Sequence, residues 1–550
     1  MRARTRLLAG AAVTSLALVA SACGGGGSST PDSGSSASGG GSTGAGGGAI
    51  TINGCTPKAP LIAGNTSETC GGNIIDAFTA KLVHYNSDTA APEMDLAESI
   101  DTKDNQNFTV KLKSGTTFQD GSPLTAKSFV DAWNYTAYGP NGQAGSYFYA
   151  PFAGFADVQC GDADCKQKPK VETMSGLKVV DDSTFTIKTS EKVSNLLTRL
   201  GYSAFSPQPA AFFANPTEFA KKPTGAGPFK VDSVSSTETV LSKWADYKGV
   251  APAKVDQVTF RVYQDPAAAY NDVVANNLDL VDQIPPDQLI GDAYKTDLDG
   301  RNGQRDVGGN SVVMFSPEDS GLKNPALRKA ISMAIDRQTI ITQVLNGNAT
   351  AATGWVPPAV DGYKAGTCGD SCTFDPAKAK AAFEAAGGYS GTLTYTTNVD
   401  GAGNAQIGEA ICNSIKNTLG VNCVLNGVND FATYQKGING GDYKGLLRSA
   451  WQMDYPSIEN FLAPIYSKGA DSNWAKYDSP KFASLLSQAA AASTPDASNA
   501  LYQQAEAQLE VDFPSAPFIY RKATFGWSNK VDNVKITPFG TPDLSSITVK

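Results

Sequence analysis

Histidine is nearly absent from this 550-residue chain: His84 stands alone beside 20 tyrosines and 24 phenylalanines. A Ser-His-Asp or Cys-His site would have to use that one imidazole, and in "KLVHYNSD" it reads as a strand or helix-edge residue. The body carries no G-x-S-x-G elbow and no Walker A loop, so these marks of acyl and phosphoryl chemistry are missing. Past the N-terminus there is no run of 18 apolar residues, which excludes an ordinary spanning helix there. No Lys/Arg-rich block occurs, and 45 basic against 53 acidic residues leave a net charge of −8, a balance that argues against nucleic acid as a partner. Metal signals are equally thin. There is no C-x₂-C pair, and "DLDGRNGQRD" (297–306) fails as a calcium loop because Arg301 stands at the third ligand position and Asn302 replaces the turn glycine. Carboxylates are abundant enough to furnish a glycosidase pair, yet nothing marks one. The residues alone leave that pair open, and the expectation is a chain that holds neither metal nor cofactor.

What is present begins with an export signature. Arg2, Arg4 and Arg6 precede an apolar stretch, Leu7 to Ala20, too short to cross a membrane. Ala20, Ser21 and Ala22 then lead into Cys23, the pattern of a bacterial lipoprotein signal. Residues 1–22 read as the signal peptide and Cys23 as the acylated (palmitate-bearing) mature N-terminus; an ordinary secretory signal with a chance cysteine is the alternative. From Gly24 to Gly48 the chain is almost entirely Gly, Ser and Thr. Such a stretch buries no core, and its 25 residues reach roughly 25–30 Å as a flexible coil. Residues 23–48 therefore read as a lipidated tether on the extracytoplasmic face of a cell membrane. About 500 residues remain, enough for two or three domains.

Eight cysteines follow Cys23, an even count that favours disulfides in an exported chain. They lie as close neighbours: Cys55 with Cys70, Cys160 with Cys165, Cys368 with Cys372, and Cys412 with Cys423. Of 105 possible pairings, proximity favours this sequential one.

Up to about residue 300 the chain reads as mixed α/β. "NFTVKLKSGTTF" and "KVDQVTFRVY" alternate as strands, "GLKVVDDSTFTIKTS" reads as a hairpin around Asp181-Asp182, and "SPLTAKSFVDAWNYTA" reads as a Ser- or Thr-capped helix. From about 310, Asn324 caps one long helix, "ALRKAISMAIDRQTIITQVLNG", that Gly347 ends. A second helix opens at Asp375-Pro376. Strand "TLTYTTN", a helix through Ile407, Ile411, Ile415 and Leu419, and strand "VNCVLNGV" follow, which is the order of a second α/β lobe. Two helices near 480–493 and 496–510 precede a return to short strands at "APFIYRKATFGWSNKVDNVKI".

One stretch invites a functional reading. In "WQMDYPSIENFL" Asp454 sits between Trp451 and Tyr455. It is either a turn residue before a helix starting at Ser457 or a carboxylate held in an apolar cleft for a cation.

Several segments together resemble, in order, the peptide-binding proteins of ABC importers, the family-5 extracellular solute-binding proteins that include oligopeptide and dipeptide binders. They are "LAESIDTKDNQNFTVKLKSGTTFQDGSPLTAKSFVDAW", "PTGAGPFKV" (with Ala226 where that family usually has Thr), "NPALRKAISMAIDRQTIITQVLNGNATAATGWVPP", "FDPAKAKAAFEAAG" and "YDSPKFASLLSQA". The resemblance covers nearly all of residues 60–525. It implies an α/β clam-shell of two lobes, like the periplasmic binding proteins. Lobe I would take 49–310, with an extra subdomain at about 77–175, lobe II 311–515, and 516–550 would return to lobe I, with crossovers near 308–316 and 512–522.

The same resemblance implies a monomer that does no chemistry itself, captures peptides and delivers them to permease subunits served by separate ATPases. In that family a Trp-x-x-Asp-Tyr segment lies in the cleft. Trp451, Asp454 and Tyr455 match it, so Asp454 would pair with the ligand's α-ammonium, with the aromatics as wall. The Ala450 backbone could pair with the peptide main chain like an added strand. The cluster Tyr147, Phe148 and Tyr149 could line the opposite wall, with core packing as the alternative. Relatives of this fold also bind metal chelates, haem or oligosaccharides; a single histidine disfavours nickel, while six tryptophans leave stacked sugars open. A peptide-sensing lipoprotein and a secreted hydrolase complete the alternatives.

Overall fold

The computed structural model describes residues 47–550 apart from Ser67, Ala163, Gly401 and Ala402; Cys23 and the readings on residues 1–46 lie outside the described residues. Two long antiparallel strands, Asn302–Phe315 and Ser515–Trp527, run side by side and change company along their length. At one end Asn302 to Asp306 pair with Lys522 to Gly526; at the other Asn310 to Met314 pair with Ser515 to Tyr520, and the register shifts between them. The cores change with the pairing. Val307, Ala523 and Phe525 pack into the core of the N-terminal lobe, whereas Val312 to Phe315, Ala516, Phe518 and Ile519 pack into that of the second lobe. The lobes therefore exchange between Val307 and Val312 on one strand and between Ile519 and Ala523 on the other.

Eleven strands form one sheet through both lobes. In lobe I, Ala49–Gly54 runs parallel to Gln257–Val262, which continues antiparallel to Glu238–Lys243 and Phe229–Val234. In lobe II, Leu446–Gln452 lies antiparallel to the first long strand, and Leu393–Asn398 joins it in parallel, followed by Cys423–Val428. A separate four-stranded antiparallel sheet carries the extra subdomain. The strand Asn107–Leu112 alternates in burial, with Phe108, Val110 and Leu112 turned inward against the helix Ala126–Ala137 and Trp133 at the centre. This sheet continues to Lys188 and its core to Phe205. The chain is thus the two-lobed α/β fold.

Local rules account for most helix ends. Asn324 accepts the Ala326 N–H (3.0 Å), Asp375 that of Lys378 (3.0 Å), and Thr125 forms a capping box with Ser128. Two expectations are corrected. The segment after Asn324 is two helices, Pro325–Met333 and Arg337–Gln343, because Asp336 caps the second through the Thr339 N–H (3.0 Å). The buried Arg337 guanidinium then satisfies the carbonyls of Ser332 (3.0 Å) and Ile335 (3.2 Å) at the break. The C-terminal region expected as short strands contains the 13-residue strand Ser515–Trp527, continuous because each half finds a partner in a different lobe. The eight cysteines form Cys55–Cys70, Cys160–Cys165, Cys368–Cys372 and Cys412–Cys423, the last joining the helix Asn404–Leu419 to its neighbouring strand.

Candidate ligand-binding site

The strand Leu446–Gln452 ends where the lobes meet, because the Met453 N–H goes to the Gly308 carbonyl (2.8 Å). Gly308 permits that approach, since a Cβ there would run into the Met453 side chain. The chain then bends, bridges Asp361 at Ser457 and enters the helix Glu459–Tyr466. Asp454 does not cap this helix: the N-cap is Ile458, and the Asp454 carboxylate receives the Asn460 side-chain amide instead (3.1 Å).

Asn460, 1% exposed, organises the bend. Its oxygen accepts from the Trp451 indole (3.1 Å) and the Asp454 N–H (2.9 Å), while its amide holds Asp454 Oδ2. Asp454 Oδ1 has no hydrogen-bond partner, and the carboxylate makes no ion pair, among the described residues. Burial pushes its carboxyl up to about 6; the Asn460 bond opposes that rise and the Glu459 charge adds to it.

A cavity of about 430 Å³ opens beside Asp454, within the size range of small-ligand sites. Lobe II supplies Gln452, Met453 and Asp454; Tyr85 and Tyr202 come from lobe I, and Phe539 from the C-terminal segment. The Tyr85 ring stacks on Phe539 with centroids 5.1 Å apart, and its hydroxyl donates to the Thr198 carbonyl (2.6 Å). Tyr202 packs on Phe148 at 4.3 Å. Burial first, with the Asp454 charge among the further causes, holds the hydroxyls of Tyr85 and Tyr202 above their ordinary range. A carboxylate without an ion-pair partner among the described residues thus shares the cavity wall with aromatic rings, an arrangement suited to a cation. His84 lines the same cavity, and burial followed by the Lys81 charge holds its imidazole below the ordinary range, favouring the neutral form.

The other expected residues divide. Trp451 is half-buried, oriented by Asn460, and Ala450 sits opposite Ser311 in the sheet. Arg448 gives its carbonyl to the Tyr434 hydroxyl (2.7 Å), and the two-residue period of the strand turns the Ala450 backbone the same way, past the end of the Leu393–Asn398 pairing. Tyr147 is 53% exposed on Phe148. Tyr149 is corrected: at 0% exposure, with its hydroxyl on the Ala204 carbonyl (2.7 Å), it is core and offers no surface. Tyr455 is no cavity wall either. It is buried in the extra subdomain's core beneath Arg199, its hydroxyl donated to Glu459 (2.7 Å). Sequence reasoning missed Asn460, Tyr85, Tyr202 and Phe539; of these only Asn460 lies within the stretch that drew attention.

Tyr455 marks where the lobes touch. Glu459 Oε2 also meets Arg199 (3.0 Å) and Asn195 (3.2 Å) of lobe I, with the two charged side chains 8% and 17% exposed. A second cavity, about 870 Å³, includes Asn195, Arg305, Ser457 and Tyr502. The segments around 87–88, 453–457 and 537–539 separate it from the first, and its arginine is spent on the carbonyls of Ser87, Asp88 and Ile536.

Comparison with known proteins agrees with this architecture. The family of bacterial extracellular solute-binding proteins, family 5 Middle, matches residues 91–473. The "Probable deoxycholate-binding periplasmic protein YgiS" of Escherichia coli is 27% identical over 433 residues, 76% of this chain and 77% of the relative. The oligopeptide-binding protein OppA of Bacillus subtilis is 24% identical over 491 residues, 86% and 88% of the two chains. Among solved structures, the Escherichia coli murein tripeptide binding protein MppA superposes with a TM-score of 0.72 at 21% identity, covering 91% of this chain and 98% of its own. With its two lobes exchanged across a pair of long strands and a cavity at their junction, the chain belongs to the bacterial extracellular solute-binding proteins, family 5.

Proposed function

We propose that this protein captures short peptides by their free N-terminus and hands them to the permease of an ABC importer, whose separate subunits hydrolyse ATP. It is a monomer held outside the cell membrane by acylated Cys23 and the 23–48 tether, and it performs no chemistry on its ligand. One observation carries the ligand class. Asp454 is a carboxylate in a cavity wall, pinned by Asn460, sharing that wall with aromatic rings and without a cation of its own among the described residues. An α-ammonium supplies the missing charge, and such a pair in an enclosed site gains only if both partners are satisfied. The outward-turned backbone at Ala450 supports main-chain pairing with an extended ligand. Peptide-binding names among the relatives agree with this reading. A bile acid, named for the Escherichia coli relative, would bring a second negative charge against Asp454.

Hinge closure over the ligand would pivot on the two long strands, where the register shifts near Asp306 to Asn310. The test is mass spectrometry of what the purified protein releases on mild denaturation. Peptides with free N-termini are expected. A released solute without an amine, together with no calorimetric response to peptides, would overturn the reading.

A further inference from the structure

The charges around the cavity do not balance. Its walls hold four carboxylates, Glu68, Asp76, Asp454 and Asp543, against one lysine, Lys81. Lys81 is already committed to Asp76 (2.7 Å). Glu68 turns both oxygens to the Gly71 N–H (3.0 Å each), closing the start of its helix. Arg521 reaches the wall only through the Gln452 side-chain oxygen (3.3 Å). Asp454 and Asp543 remain, each without a cation among the described residues.

Asp543 is the less expected of the two. It is 8% exposed, and it comes from the C-terminal segment, nearly 90 residues from Asp454. Its Oδ1 accepts the Ser545 N–H (3.1 Å) and hydroxyl (2.6 Å), while Oδ2 has no partner among the described residues. Buried carboxylates are ordinarily paired, and here the space beside this one is the cavity.

Resting on the peptide reading above, we infer that the site selects peptides with a second positive charge beyond the α-ammonium, a lysine- or arginine-like side chain near the N-terminus received by Asp543. The ammonium answers Asp454 and leaves Asp543 unanswered. An aliphatic side chain would strip water from that carboxylate without replacing it, and an acidic one would add repulsion. A flexible basic side chain brings the charge and lays its apolar stem along the rings of Tyr85 and Phe539.

The test is calorimetric titration of the full chain at pH 7 with Ala-Lys-Ala, Ala-Ala-Ala and Ala-Glu-Ala, all with free termini. The lysine peptide is expected to bind at least tenfold tighter than trialanine, and the glutamate peptide at least tenfold weaker. Affinities within twofold of one another overturn this inference while leaving the peptide reading intact. Failure of all three to bind, together with release of a non-peptide solute, overturns both. In Asp543→Asn the ratio of lysine-peptide to trialanine affinity should fall severalfold, and Asp543→Glu, which keeps the charge, should restore most of it. With both variants melting as cooperatively as the parent, an unchanged ratio in Asp543→Asn overturns the assignment to Asp543.

Discussion

Neutralising Glu459 should loosen the contact between the lobes without unfolding either one. In Glu459→Gln the side chain keeps its length and one acceptor, but the charge facing Arg199 disappears. Arg199 would then stay 17% exposed above the Tyr455 ring, tied to the Asn195 oxygen (3.0 Å), with no counter-charge. Breaking one side of a buried ion pair costs about 3–5 kcal/mol. The partial exposure of Arg199 places this case near the lower figure. That cost falls on the touching arrangement alone, because separation of the lobes returns Arg199 to water. A shift of about 3 kcal/mol moves the equilibrium between apposed and separated lobes by roughly 100-fold, and tripeptide affinity falls by up to that factor if only the apposed form holds ligand. Small-angle scattering should show the ligand-free variant more extended than the parent. Excess tripeptide should return it toward the parent's dimensions, while calorimetry records the lost affinity. Replacing both partners by methionine should recover only part of the loss, since an apolar pair removes the stranded charge but leaves the Tyr455 hydroxyl and the Asn195 amide without their Glu459 acceptor. Unchanged scattering together with tripeptide affinity within twofold of the parent would refute this account of the contact.

Two further outcomes follow from the Asp454 site and a third from the N-terminus. Tripeptide affinity should be flat between about pH 6 and 8. It should fall about tenfold per unit below 6, where Asp454 takes up a proton, and fall again above 8 as the α-amine loses its own. The sign is that of a raised acid: the ammonium binds only the ionised carboxylate, so acid competes with ligand, and a pH series by calorimetry checks it. Asn460→Ala strands the Trp451 indole N–H and the Asp454 N–H, at about 1–3 kcal/mol for each unsatisfied group. It also removes the bond that opposes the rise of the Asp454 carboxyl, so chemical denaturation should record lower stability and the acid limb of the binding profile should move to higher pH. Cys23→Ala should leave the chain unprocessed or release it from the membrane, while the soluble body still binds tripeptide; fractionation with membranes as strong as the parent's, after processing, would contradict the anchor.

What the sequence made legible was local. Asn324, Asp375 and Thr125 announce their helices because a cap is decided within four residues. The strand Asn107–Leu112 shows its inner face by alternation alone. Asp454 was legible as a candidate because Trp451 and Tyr455 flank it. The roles of those neighbours were not, since whether a ring meets the cavity or the other lobe depends on a bend that Met453 and Gly308 set across 145 residues. Tyr85, Tyr202, Phe539 and Asp543 meet only after the chain has crossed between lobes twice, and none carries a mark in its own surroundings. The helix break at Asp336 was visible in principle, as an Asp three residues before a Thr, but the apolar face running through Ile341 and Leu345 outweighed it.

The pairing of Asp454 with a peptide ammonium can be measured directly by calorimetry of Ala-Lys-Ala and its N-acetylated form against the parent and Asp454→Asn. Asparagine preserves the shape of Asp454 and loses the charge, so the free-amine peptide should weaken by tens-fold or more, consistent with about 2–5 kcal/mol for a broken, enclosed charge pair. The acetylated peptide, lacking the cation, should bind the parent poorly and lose almost nothing further in the variant, which gives a strong coupling in the double-mutant cycle. A coupling near zero, with both peptides weakened equally or not at all, would contradict the pairing and leave Asp454 as a residue that shapes the bend.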